Sequence, residues 1–230
     1  MAAGLLLGGA VLPEARAIKG EMLPEASDHP EAVLVTARDT RTGKQARSCG
    51  VLIAPRAVLT AAHTTVGFDA WDVTAPYARG GPVSAVVKEA RNDPDRNPNH
   101  LEHDLAVLVL KKPLDVGRPP ADLFDGDPLP IETKLVVLGR TQNGVVSPNR
   151  LVRATVTLVA FPGNVNVYGG VPAVGEPGDS GGPVYVVGKE SVVVGVVLGG
   201  IDFSRANVPK DVYVPISREN RAWALQQVPK

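Results

Sequence analysis

One cysteine, Cys49, stands in 230 residues. That excludes an intrachain disulfide and any Cys-rich zinc or iron–sulfur site, so stability has to come from packing. Net charge is also missing, because 24 Lys and Arg face 24 Asp and Glu. No global positive field exists to gather nucleic acid or anionic lipid, and neither is an expected partner. The apolar run over residues 2–12, with Leu5, Leu6 and Leu7, is well short of the roughly 20 residues that span a membrane as a helix. A stable membrane anchor is therefore not expected. Followed by Ala15-Arg16-Ala17, the run reads as a signal peptide over residues 1–17, which implies a secreted or periplasmic protein. The basic residues that usually precede such a run are absent, which leaves an ordinary buried helix as the other reading. No internal repeat at a solenoid period occurs.

What the chain does have is a 44% hydrophobic, 21% charged composition, that of an ordinary globular protein able to build a sizeable core. Its 24 Gly and 21 Pro break a Val-rich sequence into short apolar runs, the punctuation of an all-β fold. Strands are expected over residues 32–36, 49–53, 57–60, 83–88, 105–110, 134–138, 152–159, 183–187, 192–198 and 212–214. Ten short strands imply a sandwich or barrels. Residues 114–130 carry five prolines with Pro113 and show no periodicity, so they read as the connection between two domains, 18–113 and 131–230. A helix is expected only at the end, where Ser217 caps residues 218–228 and Ala222, Leu225 and Val228 recur at helical spacing.

Three segments carry chemistry. Leu59-Thr60-Ala61-Ala62-His63 presents a histidine where a strand ends, His103-Asp104-Leu105-Ala106 opens an apolar strand with an acid, and Gly178-Asp179-Ser180-Gly181-Gly182-Pro183 sets a serine in a glycine-rich turn. Serine is a weak nucleophile at neutral pH and needs a base within hydrogen-bond reach, itself oriented by a third group. Taken singly, each segment has a plainer reading as a turn or a core histidine. In this order they resemble the chymotrypsin/trypsin family of serine proteases, over nearly the whole chain after residue 17.

The resemblance implies an all-β fold of two six-stranded antiparallel β-barrels with a C-terminal helix. The first barrel would hold His63 and Asp104, the second Ser180. It also implies a cofactor-free endopeptidase with no metal, in which Ser180 attacks, His63 moves the proton and Asp104 orients the imidazole. Backbone N–H groups of Gly178 and Ser180 would form the oxyanion hole. A free amine at Ile18 would pair with Asp179, which needs cleavage after Ala17. Protein or peptide substrates, a proteinaceous inhibitor and a monomeric state are the expected associations.

Departures from the family pattern fall on the substrate side. Thr64 stands where vertebrate members carry a cysteine after the histidine, which leaves Cys49 a buried free thiol. The family's Ser-Trp-Gly segment reads Leu198-Gly199-Gly200. Val174, six before Ser180, replaces the aspartate that selects basic side chains in trypsin-like members. Asp211 stands in for a glycine on the pocket wall and Glu176 lies near the entrance, so a basic side chain and a small or apolar one remain the two readings. Asp93-Pro94-Asp95 resembles the start of a calcium loop, but Pro98 occupies the position where an EF-hand turn needs Gly. His100 and His103 lack the spacing that puts two imidazoles on one helix face. A peptide-binding pseudoprotease on the same fold is the competing class. An esterase would place its serine between a strand and a helix of an α/β sheet, a context this chain lacks.

Overall fold

The structure is a computed structural model, and it describes residues 23–96, 101–160, 168–171, 175–200 and 211–230. Strands β1 (Ala32–Arg38), β2 (Gln45–Ala54), β3 (Ala57–Ala61), β4 (Ala70–Ala75), β5 (Val83–Asn92) and β6 (Leu105–Leu110) close a first antiparallel barrel in the order β1-β2-β3-β6-β5-β4. The second half contains β7 (Asp122–Leu123), β8 (Lys134–Gly139), the short hairpin β9 (Thr141–Gln142) and β10 (Val145–Val146), β11 (Val152–Ala160), β12 (Tyr168–Val171), β13 (Pro183–Val186), β14 (Lys189–Gly200) and β15 (Asp211–Pro215). Six of these run β13-β8-β11-β12-β15-β14, and pairing of β13 with β14 closes the second antiparallel barrel. Helix α1 (Arg218–Gln226) ends the fold, its first turn capped by the Ser217 hydroxyl, which accepts from Asn220 N.

Several strands read as unbroken apolar runs because both of their faces are buried. All six residues of β6 are buried. Leu108 and Leu110 fill the first barrel with Val33, Leu52 and Val58. Leu105 and Val107 face the other way and join Cys49, Val51, Leu59, Val136, Leu138, Val196 and Val214 in a core between the barrels. Leu135, Val137, Val156, Leu158, Val184 and Tyr213 fill the second barrel. The period of two along β2, β3, β6 and β8 thus separates barrel interior from barrel interface.

Both ends of the described chain cross to the opposite barrel. Before entering β1, the chain lies on the second barrel, where Ala26 N donates to Leu151 O and Arg153 N to Pro24 O. His29 is buried there, with Nδ1 3.1 Å from Glu31 Oε1 and Nε2 3.1 Å from Glu190 Oε2. Its ring stacks on Tyr185 at 4.8 Å between centroids. At the other end, α1 lies on the first barrel, where Asn220 Nδ2 donates to Glu102 O and Arg91 Nη1 to Gln227 O.

Two expectations, on the strands and on the helix, need correction. Strands β4 and β12 lie outside the runs expected from sequence. Within the connection over 114–130, Leu114 and Val116 pack into the first barrel, and β7 pairs in parallel with β14. Helix α1 ends at Gln226, short of 228, and its buried residues are Asn220 and Ala224, not Ala222 and Leu225, with the Asn220 amide bonded to Pro215 O and Glu102 O; Val228, beyond the helix, packs against the core. Leu225 is exposed. Among the described residues, no helix is long and apolar enough to cross a membrane.

Candidate active site

Strands β3 and β6 pair with Ala61 opposite Leu105, so the residues just beyond that register, His63 and Asp104, meet at one edge of the first barrel. A single 3₁₀ turn, Ala62–Thr64, carries the histidine out of β3. Ala62 N donates to Asp104 O at 3.0 Å, and His63 N donates to Asp104 Oδ1 at 2.8 Å. The imidazole Nδ1 lies 2.5 Å from Asp104 Oδ2. With Nδ1 engaged by the carboxylate, Nε2 is left as the nitrogen able to exchange a proton with an alcohol. The imidazole is part-exposed, whereas Asp104 is buried. Burial alone would push the Asp104 carboxyl up, but hydrogen bonds and charge from His63, together with Arg96, hold it below the usual carboxylate range.

The second barrel supplies the serine on the loop before β13. That loop is anchored on all sides: Ser180 O accepts from Cys49 N at 2.8 Å, and Gly181 N donates to Val197 O at 2.7 Å. Gly181 has φ +85°, and a Cβ there would collide with Cys49 O and Thr60 Oγ1, so only glycine lets the loop lie against the first barrel. Gly178 has φ +107°, and a Cβ there would crowd Thr141 Oγ1 and Val146 of the β9–β10 hairpin. Among the described residues, the N–H groups of Gly178 and Ser180 donate to no protein acceptor. The Ser180 hydroxyl donates to Leu198 O at 2.9 Å rather than to the imidazole.

Asp179, between those two N–H groups, turns its side chain inward. Its Oδ1 accepts from Arg140 N at 2.7 Å and Thr141 N at 2.8 Å, and its Oδ2 accepts from Glu176 N at 2.9 Å. Burial raises its carboxyl to about 6 despite these donors. Cys49 is a buried free thiol with Sγ 3.5 Å from Gly178 O, and burial pushes its thiol well up. It is inert as a nucleophile.

The substrate-pocket expectations divide. Ile18 and Val174 lie outside the described residues. Leu198 is buried on β14 and offers its carbonyl to Ser180, and Gly200 pairs with Asp211 across β14 and β15. Asp211 is fully buried: Oδ1 accepts from Gly175 N at 2.5 Å and Oδ2 from Tyr213 Oη at 3.1 Å. The Glu176 carboxylate turns toward the β9–β10 hairpin. It is buried, with both carboxylate oxygens 3.1–3.2 Å from Gly144 N, where it fastens the β9–β10 hairpin beside the serine loop. A cavity of ≈ 460 Å³ lies at the mouth of the second barrel, lined by Leu135, Leu158, Val194 and Tyr213 among others, but it touches none of His63, Asp104 and Ser180.

Two arginines belong to this region that sequence reasoning does not reach. Arg96 donates through Nε to Asp104 Oδ1 at 3.0 Å. Arg140 is buried and reaches Val35 O and Ser48 O on the first barrel at 3.2 and 3.0 Å, and Ser147 O on the second at 2.6–2.8 Å. Only the break in apolar pattern at Gly139-Arg140 hints at the second; nothing local marks the first.

Two packed β-barrels, with a histidine–carboxylate pair on one and a serine loop on the other, define the two-barrel serine protease architecture. The Trypsin family model matches residues 24–224, and the chain belongs to that family. A relative named Trypsin, from Saccharopolyspora erythraea, is 31% identical over 206 residues, covering 79% of this chain and 86% of that protein. Among solved structures, a scabies mite inactivated protease paralogue, S-I1, matches with a TM-score of 0.70 at 20% identity, covering 89% of this chain and 97% of that one. HL collagenase matches with a TM-score of 0.72 at 17% identity, covering 89% and 95%. At such identities these two likenesses speak for the fold.

Proposed function

We propose that the chain is a secreted or periplasmic serine endopeptidase that cleaves protein or peptide substrates through an acyl-enzyme, acts as a monomer without cofactor, and is open to control by a proteinaceous inhibitor. The observation that supports this reading is the His63–Asp104 pair on one barrel together with a serine loop on the other whose Gly178 and Ser180 N–H groups, among the described residues, have no protein acceptor. Ser180 Oγ bonds to the scissile carbonyl carbon while His63 Nε2 takes the hydroxyl proton. The carbonyl oxygen gains negative charge, which the two N–H groups stabilise; loss of one such donor costs about 10²–10³ in rate. The C–N bond then breaks, His63 returns the proton to the leaving amine, and water repeats the sequence to release the acid and restore Ser180.

In this reading, removal of residues 1–17 exposes the Ile18 ammonium, which completes the Asp179 site. Asp211 already holds donors from Gly175 and Tyr213, so a basic substrate side chain has to compete with them. That supports a small or apolar side chain in the pocket over a basic one, a choice decided by paired peptide substrates.

The direct experiment is intact mass of the secreted protein before and after an organofluorophosphonate. One adduct, absent in Ser180→Ala, on a chain starting at Ile18 is the expected result. A second reading, a peptide-binding pseudoprotease, is favoured by the Ser180 hydroxyl donating to Leu198 O. An Ile18 start without any adduct would overturn the endopeptidase in its favour.

A further inference from the structure

The Asp104 carboxylate has more partners than the histidine it orients. Oδ2 faces His63 Nδ1 at 2.5 Å, while Oδ1 accepts from both His63 N at 2.8 Å and Arg96 Nε at 3.0 Å. Arg96 is held there by a turn. Asp93 N donates to Leu105 O and Arg96 N to Asp93 O, while Asp93 Oδ1 accepts from Asp95 N at 3.0 Å. Asp93 Oδ2 lies 3.2 Å from His103 Nδ1, so the buried Asp93 ties the turn to the residue immediately before Asp104. The guanidinium is about one quarter exposed, close enough to the surface to be changed without opening the core.

We propose that Arg96 is a positioning residue of the catalytic pair, one that fixes the Asp104 carboxylate and sets the pH at which the site switches on. This rests on the endopeptidase reading. The geometry has two effects. With Oδ1 fixed by two N–H donors, Oδ2 is directed at the imidazole, which keeps the ring in one orientation. The guanidinium also draws on the same negative charge that stabilises the protonated histidine. Among the described residues, Arg96 contacts the pair, and behind it stand Asp93, Asp95 and His103. Arg96 is the one in contact with the carboxylate. Its positive charge offsets part of that negative charge, so activity is expected to reach lower pH with Arg96 in place than without it. A unit charge in contact with the carboxylate that pairs with the imidazole, partly screened by water, is expected to move the acid limb by about one pH unit.

The test is kcat/KM against pH on a peptide substrate for the unaltered chain, Arg96→Gln and Arg96→Lys. The acid limb of Arg96→Gln is expected about one pH unit higher, so that below both limbs it runs about tenfold slower relative to its own plateau. Arg96→Lys, which keeps the charge, should return most of the shift. A merely structural residue would change stability or plateau rate and leave the limb in place. An unmoved limb in Arg96→Gln, with an unchanged thermal transition, overturns the proposal; Arg96→Ala gives the same comparison should the Gln variant fold poorly. An unaltered chain that neither cleaves nor takes the fluorophosphonate sinks the endopeptidase reading instead. The pH response of the low-field Nδ1–H resonance of His63, which needs no turnover, then decides the Arg96 effect by the same directions.

Discussion

The Asp179 carboxyl sits beyond the reach of water and takes three backbone N–H groups from Arg140, Thr141 and Glu176. Those donors only partly offset its burial, and its carboxyl lies at about 6 instead of 3.8. A carboxyl raised in the folded state binds its proton more tightly there than in the unfolded chain. Stability is then greatest below about 3.8 and is lost as pH rises through about 6, a change of about 3 kcal/mol. Asp179→Asn should flatten that part of the stability profile in thermal melts between pH 4 and 7, while lowering turnover because the amide cannot accept all three N–H groups. An Ile18 ammonium arriving at Asp179 would reverse the sign, so melts of chains with and without residues 1–17 report directly on the pair. The serine, histidine and aspartate were legible because each stands in a short segment whose residue types are themselves chemical. Arg96 and Arg140 were not: the turn that brings Arg96 to Asp104 carries no sequence signal of its own, and for Arg140 the partners Val35 and Ser48 are separated from it by nearly half the chain.

At the scale of elements, what the sequence reveals depends on how many faces a strand buries. β6 was legible to the residue because every position is apolar and buried. β4 was not, because Trp71 and Asp72 are only half-buried and its apolar face amounts to Val73 and Ala75. In α1, the inward position belongs to an asparagine whose hydrogen bonds outweigh the hydrophobic pattern. Burial also ranks the cost of substitution. Leu59 on β3 is fully buried in the core between the barrels, and Leu59→Ala should cost about 2–5 kcal/mol in denaturant unfolding. Val145, 70% exposed at the start of β10, should tolerate alanine within about 0.5 kcal/mol. Equal costs at the two positions would contradict the packing described.

For the whole molecule, the ionic network around His29 joins the two halves. The imidazole lies between Glu31 and Glu190, Tyr185 Oη donates to Glu31 Oε1 at 3.0 Å, and Arg153 binds Glu190 at 3.0–3.1 Å and Asp28 at 2.6 Å. Arg118 Nη1 approaches Glu31 Oε2 at 3.7 Å. Burial alone would disfavour the cation, but the surrounding carboxylates raise His29 above 6.5. The raised value means stabilisation that is complete below 6.5 and lost as pH climbs through the folded-state value. His29→Gln should remove that decline, read as a melting temperature that no longer falls across this range. Strand spacing alone left a sandwich or barrels open, and the two-barrel plan was legible only through the family resemblance carried by the His63, Asp104 and Ser180 segments. The crossing of both chain ends was not, because it depends on Ala26, Arg153, Asn220 and Arg91 finding carbonyls on the far barrel.

That exchange of ends has a mechanical consequence. Each half wears a strap that belongs to the other, so residues 114–130 are not what keeps the halves together. A chain severed in that stretch would remain one body, its two pieces clasped by the core between the barrels and by the straps at either end. Removing residues 24–29 or helix α1, by contrast, would loosen the grip on the far barrel and with it the core between the barrels.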